Sequence, residues 1–277
     1  MPRLRPARST AALAALAVAG AVLAPGAAVG GDTPPNGAGT AGPPYEYDTA
    51  LMGQYAFIPL PDQAMVTRSD RGYVFRAGQQ DSRLVVTLEG GRLRFADSGT
   101  ERFKRLGRGC REEAVEVGVA ATCRVPSWVT TDQPLLLEVW PRLGDDHLDA
   151  STLPATFAMT MLGDAGHDVA MFGAGPDFFN GFTGNDQVWG GDGNDWIRTG
   201  DGADEVWGGG GDDQMVGTDG KDRFYGEDGD DLLGGGAGDD GLDGGPGSDL
   251  LRCEGGRDTV RTDGADRLRN CETVDRG

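Results

Sequence analysis

Residues 181–198 read GFTGNDQVW GGDGNDWIR. Each half is nine residues long, with Gly at position 4, Asp at position 6 and an apolar residue at position 8. The register extends both ways without a gap, so that Gly163 to Arg261 divides into eleven such units. Position 4 is Gly in every unit, from Gly166 to Gly256. Position 6 is always Asp: Asp168, Asp177, Asp186, Asp195, Asp204, Asp213, Asp222, Asp231, Asp240, Asp249 and Asp258. Position 8 is always apolar, running from Ala170 and Phe179 to Leu251 and Val260. Repetition at a fixed short period is the mark of a repeat architecture.

The spacing dictates a shape. Gly at positions 1, 2 and 4 permits positive φ and a tight turn. The x-apolar-x tail is a three-residue strand whose middle side chain points inward. One unit cannot enclose a core, but two make a coil with a turn on each side. Coils then stack every 18 residues, about 4.8 Å apart, and unit n lies beside unit n+2. Their Asp carboxylates and turn carbonyls converge between coils. An all-oxygen site of this kind suits Ca²⁺, which takes 6–8 oxygens, better than Mg²⁺, which demands strict octahedral geometry. Pairing n with n+2 allows at most nine such sites in eleven units.

The block resembles the RTX family, the hemolysin-type calcium-binding nonapeptide repeats G-G-x-G-x-D-x-U-x. The resemblance implies a parallel β-roll with Ca²⁺ in its turns and the eleven position-6 Asp as metal residues. It departs at position 1 (Phe172, Thr199, Cys253) and at position 2 (Asp164, Phe182, Thr218, Glu227, Glu254). The family contains both non-catalytic proteins and enzymes that use the repeats for calcium-triggered folding after export.

Composition agrees with the repeat. The chain has 277 residues, 48 Gly, 44 acids against 25 bases and a formal charge of −19. Twenty-nine of the Gly lie in the repeat block, together with 23 acids against 6 bases, a net of −17. Nine Ca²⁺ would nearly neutralise that. Without calcium, facing rows of carboxylates repel, and a Gly-rich acidic tract is expected to be disordered. A surface so acidic excludes nucleic-acid binding, which needs basic groups, and disfavours anionic membranes.

Residues 1–30 have the pattern of a signal peptide: Arg3, Arg5 and Arg8, then an apolar run from Ala11 to Ala24, then small residues ending Ala28-Val29-Gly30. The run is too short to span a bilayer, and no later transmembrane segment is read. Residues 31–44 read as a flexible linker. A secreted, extracellular chain makes disulfides plausible. Of the three pairings open to four Cys, proximity favours Cys110–Cys123 and Cys253–Cys271. The second pair is one coil apart, inside the Cα range of a disulfide; two free thiols is the competing reading. After Arg261 the register slips by one residue, with Asp266 and Leu268 in a degenerate unit, and 262–277 reads as a C-terminal cap.

The expected fold class is all-β, a parallel β-roll (β-solenoid) over 163–261 preceded by a β-rich N-terminal region over 45–162. In that region Leu84–Leu88 and Arg92–Phe95 flank Gly90-Gly91 as a hairpin. Val115–Val119, Ala121–Val125, Leu135–Val139 and Phe157–Met161 also read as strands, and Gly144 to Asp149 looks like a decayed repeat turn. This half resembles the β-rich leaders of secreted actinobacterial calcium-binding proteins, a likeness that carries no site residues.

Positions 7 and 9 point outward, and on one face position 9 runs Met171, Trp189, Trp207, Tyr225. Such an aromatic row either stacks to stabilise the roll or binds a glycan or protein partner. No catalytic motif is present: H-E-x-x-H and G-x-S-x-G are absent, and the two His, His147 and His167, sit in turn contexts. His167, at position 5, is read as solvent-exposed, with its carbonyl mattering more than its ring. The function expected is a non-catalytic, secreted calcium-binding β-roll with an extracellular structural or adhesion role. The alternative is a secreted enzyme with its catalytic region in 45–162.

Overall fold

The computed structural model describes residues 63–77 and 81–276. The signal-peptide and linker readings at 1–30 and 31–44 lie outside these residues. Among the described residues every regular element is a strand, and the strands form two long sheets.

Over the repeat block the chain alternates between the two sheets. Phe178–Thr183 pairs in parallel with Trp196–Arg198, and that strand with Gln214–Val216, at a step of two units. Gln187–Asp192, Glu205–Gly210 and Arg223–Asp228 do the same in the facing sheet. This is the 18-residue coil that the spacing requires. Position 8 supplies the core: Val188, Ile197, Val206, Met215, Phe224, Leu233 and Leu251 are all fully buried. Several strands run to six residues rather than three, because positions 1–3 of the following unit also pair, as in Gly191↔Gly209 and Asp192↔Gly210.

The sheets do not stop at Gly163. Phe157–Ala165 pairs in parallel with Leu135–Trp140, which pairs with Gly72–Arg76. On the other side Val169–Met171 pairs with His147–Asp149, and that strand with Arg83–Glu89. The coil is therefore already formed ahead of the regular repeats, and one apolar cluster runs from Ala64 to Val260. Antiparallel strands then close this end. Gln63–Arg68 pairs with Gly72–Arg76, and Arg83–Glu89 with Arg92–Asp97 through the expected hairpin. Gly90 and Gly91 have φ of 56° and 73°, as a two-residue hairpin turn requires. These strands cover the edge that the first coil would otherwise present, and the sheets end on Arg102–Leu106 and Cys110–Glu113.

Two sequence readings need amendment here. Val115–Val119 is not a strand: 114–118 is the loop between Cys110–Glu113 and Val119–Arg124, with Val117 71% exposed and Gly118 at φ 77°. A Cβ at Gly118 would overlap the Asp97 carbonyl, so the chain must reverse there rather than extend. The strands Gln63–Arg68, Gly72–Arg76 and Arg102–Leu106 were not anticipated. The last reads RFKRL, without apolar alternation, because it is an edge strand.

Both expected disulfides are present. Cys110 and Cys123 face each other across an antiparallel pair. Cys253 and Cys271 join neighbouring coils, with Cα atoms 5.1 Å apart.

Candidate metal centre

Each turn is built around backbone that only a small residue fits. Gly184 and Gly202, at position 4, have φ of 137° and 158°. A Cβ at Gly184 would overlap the Gly166 carbonyl oxygen one coil back, and one at Gly202 the Gly184 carbonyl. That contact repeats up both flanks and accounts for the invariant Gly. Position 2 takes φ near 70–110° in most units, with or without Gly: Asp164, Phe182, Glu227 and Glu254 have φ of 95°, 69°, 69° and 68°, while Thr218 stays outside this region.

Position 6 forms two ladders. On one flank the backbone N–H of Asp168 donates to Asp186 Oδ1 at 2.9 Å, Asp186 to Asp204 at 2.8 Å, Asp204 to Asp222 at 3.0 Å and Asp222 to Asp240 at 2.9 Å. On the other, Asp177 donates to Asp195, Asp195 to Asp213 and Asp213 to Asp231, each at 2.8 Å. Each Asp thus gives Oδ1 to the neighbouring coil. The second oxygen is different. Oδ2 of Asp168, Asp186, Asp195, Asp204, Asp213, Asp222, Asp231, Asp240, Asp249 and Asp258 is buried without a hydrogen-bond partner. Asp177 is the exception among the repeat residues, its Oδ2 accepting from the Gly173 N–H at 3.3 Å. Phe172 takes the place of the position-1 Gly there.

Several of these free Oδ2 atoms face a carbonyl. A Cβ added at Gly181 would meet both Asp186 Oδ2 and the Thr199 carbonyl oxygen, and one at Gly190 both Asp195 Oδ2 and the Gly208 carbonyl oxygen. Gly208, Gly217 and Gly226 repeat the arrangement with Asp213, Asp222 and Asp231. Position 1 is therefore Gly because a carboxylate oxygen of its own unit and a carbonyl two units on converge beside it. Among the described residues no three His, Cys, Asp or Glu side chains cluster around one point. The converging donors are single carboxylates with backbone carbonyls, all hard oxygen, and this set fits Ca²⁺.

Burial first, and neighbouring carboxylates after it, push these acids up: Asp186 and Asp231 to about 8, Asp168, Asp213 and Asp222 to about 7, Asp249 to about 6. In Asp186 and Asp231 the backbone hydrogen bond opposes the shift without cancelling it. A buried polar atom without a partner costs about 1–3 kcal/mol, and more if charged. Ten such oxygens lie within the repeats. A proton or a cation on these oxygens would relieve that cost.

The family model for the RTX calcium-binding nonapeptide repeat, four copies, matches residues 180–215 and 216–251. The roll is an RTX calcium-binding β-roll. Among curated proteins none is detectably similar to the chain. RTX repeats bind several Ca²⁺ ions per repeat region, so the chain is a calcium-binding β-roll protein.

Sequence reasoning missed a second ladder in the RTX roll. At position 5, Asn185 N–H donates to His167 Nδ1 and Ala203 N–H to Asn185 Oδ1, both at 2.8 Å. Asp212 N–H donates to Asn194 Oδ1 and Asp230 N–H to Asp212 Oδ1 on the other flank. His167 is exposed, as anticipated, but its ring nitrogen is an acceptor in this ladder. The signal was the run of His, Asn and Asp at position 5. The degenerate unit extends the position-6 ladder instead, since Asp249 N–H donates to Asp266 Oδ1 at 3.1 Å.

Trp189 and Trp207 stack at 4.7 Å between ring centroids with planes 3° apart, and Trp207 and Tyr225 at 5.6 Å and 12°. Their edges line an open groove of about 1260 Å³, with Asp192, Glu227 and Asp228 beside them.

Proposed function

We propose that this chain is a secreted, non-catalytic protein whose β-roll folds on calcium outside the cell and serves as an extracellular structural or adhesion element. The observation that carries the reading is the buried, unpartnered Oδ2 repeated along both flanks. Binding there is coupled to folding, because the carboxylates converge only when the coils stack. Extracellular sites of this type bind at about 10⁻⁴–10⁻³ M, so the low calcium of a cytoplasm leaves the chain unfolded and the millimolar calcium outside folds it. Each position-6 Asp, Asp168 to Asp258, supplies a carboxylate, with Asp177 the weakest contributor because its Oδ2 is bonded.

Secretion is supported by the signal-like 1–30 and by two disulfides with no free Cys among the described residues. A non-catalytic role is supported by the two His. His147, read from the sequence as a turn residue, lies instead in the strand His147–Asp149, and the Nδ1 of His167 is engaged with backbone. No helix among the described residues is long and apolar enough to cross a membrane. The aromatic row has its ring faces turned to one another, which supports a stabilising role; a glycan or protein partner would meet ring edges in the groove.

Circular dichroism of the chain in EDTA and in millimolar Ca²⁺ tests the proposal. Strand signal gained with calcium and lost on chelation is the expected result. Identical spectra would overturn it.

A further inference from the structure

The stretch 141–149, PRLGDDHLD, lies outside the eleven units and outside the residues that the repeat family matches. Its position 1 is Pro141, and Asp146 precedes Asp168 by 22 residues instead of 18. Its backbone is nevertheless that of a repeat turn. Gly144 falls at position 4 with φ 133°, beside 146° for Gly166 and 137° for Gly184. Arg142 falls at position 2 with φ 84°, in the left-handed region that Asp164 and Phe182 also occupy. The Gly144 carbonyl oxygen lies where a Cβ on Gly166 would overlap it, the same contact that Gly166 makes with Gly184. Leu148, at position 8, is 1% exposed in the core.

Asp146 completes the likeness. It is 1% exposed. Its N–H donates to Asp168 Oδ1 at 2.9 Å, its Oδ1 accepts from Ser82 N–H at 2.5 Å, and its Oδ2 is buried without a partner. A Cβ at position 1 does not exclude such a site, since Asp258 keeps a free Oδ2 although Cys253 stands at position 1 of its unit. The next buried acid toward the N-terminal end behaves differently. Asp97 Oδ1 accepts from Arg83 and Gly99 N–H, and its Oδ2 from the Ser82 and Thr100 hydroxyls, so it needs no cation.

We propose that the turn 141–149 holds a further calcium ion through Asp146, the last on that flank, at the joint between the antiparallel strands and the roll. It rests on the calcium reading of the roll. Because Oδ1 of the same carboxylate is bonded to Ser82, 64 residues earlier, the ion fixes the start of Arg83–Glu89 as well as its own turn.

The test counts calcium bound per full-length chain by equilibrium dialysis, in the wild type and in Asp146→Asn, with hydrogen exchange at the Ser82 amide followed in both. One ion fewer in the variant, with calcium-dependent protection of Ser82 lost, is the expected result. An unchanged ion count, or Ser82 protection that ignores calcium, would overturn the inference. If the variant does not fold, crystals of the wild type grown in calcium decide it by anomalous scattering. A peak at Asp146 Oδ2 supports the site, and its absence beside filled repeat turns rejects it. A wild type that takes up no calcium would sink the calcium reading itself, a different outcome from repeats that fill while Asp146 does not.

Discussion

Asp186 divides its carboxylate between two tasks: Oδ1 accepts the backbone N–H of Asp168 at 2.9 Å, and Oδ2, equally buried, meets no donor. One oxygen holds the coils in register, and the other is the one proposed above to bind calcium. The division explains why position 6 tolerates no other residue type in eleven units. Asn retains the acceptor and loses the charge; Glu has the charge at the wrong reach.

Asp186→Asn and Asp186→Ala should therefore separate the two tasks. The Asn variant is expected to need several-fold more calcium to fold, with the ladder kept. The Ala variant also leaves the Asp168 N–H without its acceptor, for a further loss of about 1–3 kcal/mol. Calcium titrations followed by circular dichroism, combined with urea melts at saturating calcium, check both. Equal behaviour of the two variants would refute the separation.

Stability of the metal-free chain should depend on pH in the direction opposite to most acidic proteins. Asp186 and Asp231 are raised to about 8, and Asp213 and Asp222 to about 7, above the unfolded value near 4. A raised folded pKa contributes stability that is complete below the unfolded value and is lost as pH rises through the folded one. In EDTA, strand content should be favoured near pH 4 and fall progressively as pH rises to about 8. With calcium present the dependence reverses, since protons compete for the same Oδ2 atoms. Melting temperatures across pH 4–9 with EDTA and with Ca²⁺ give the comparison.

Replacing Trp207 by Ser should cost more than replacing Trp189. Trp207 stacks on both sides, on Trp189 and on Tyr225, whereas Trp189 has one aromatic neighbour in the row. Each stacked pair contributes about 0.5–1.5 kcal/mol beyond burial. Calorimetric melts at saturating calcium measure the difference, and glycan-array binding of the folded variants asks whether the row has any separable binding role.

Glu227→Gly should raise stability. Glu227 holds φ 69° at position 2 and its side chain is exposed, so little burial is lost. Left-handed backbone costs a side-chain-bearing residue about 1–2 kcal/mol, against about 0.5–1 kcal/mol for the extra freedom of Gly. Thr218→Gly is the control. Thr218 is not among the positive-φ residues, and its hydroxyl donates to Asp201 at 2.7 Å, so that change should destabilise. Thermal melts of the two variants should move in opposite directions.

The amino-acid sequence by itself determined the roll. A period of nine with fixed Gly, Asp and apolar positions leaves few ways to bury Val188 or Ile197 and to place Asp186 beside Asp204, because each constraint is local and repeats. The same regularity made the Cys253–Cys271 bridge legible, one coil apart. What only the tertiary structure decided is where the regularity is broken. The strand Gly72–Arg76 meets Leu135–Trp140 although 64 residues separate Gly72 from its partner Leu136, and no periodicity links them. Asp146 enters the ladder across 22 residues, with Ser82 on its other side. Asp177 loses its free oxygen to the Gly173 N–H, a contact no pattern specifies. Those outcomes depend on which backbone groups lie within hydrogen-bond reach once the coils stack, and that distance exists only in the folded chain.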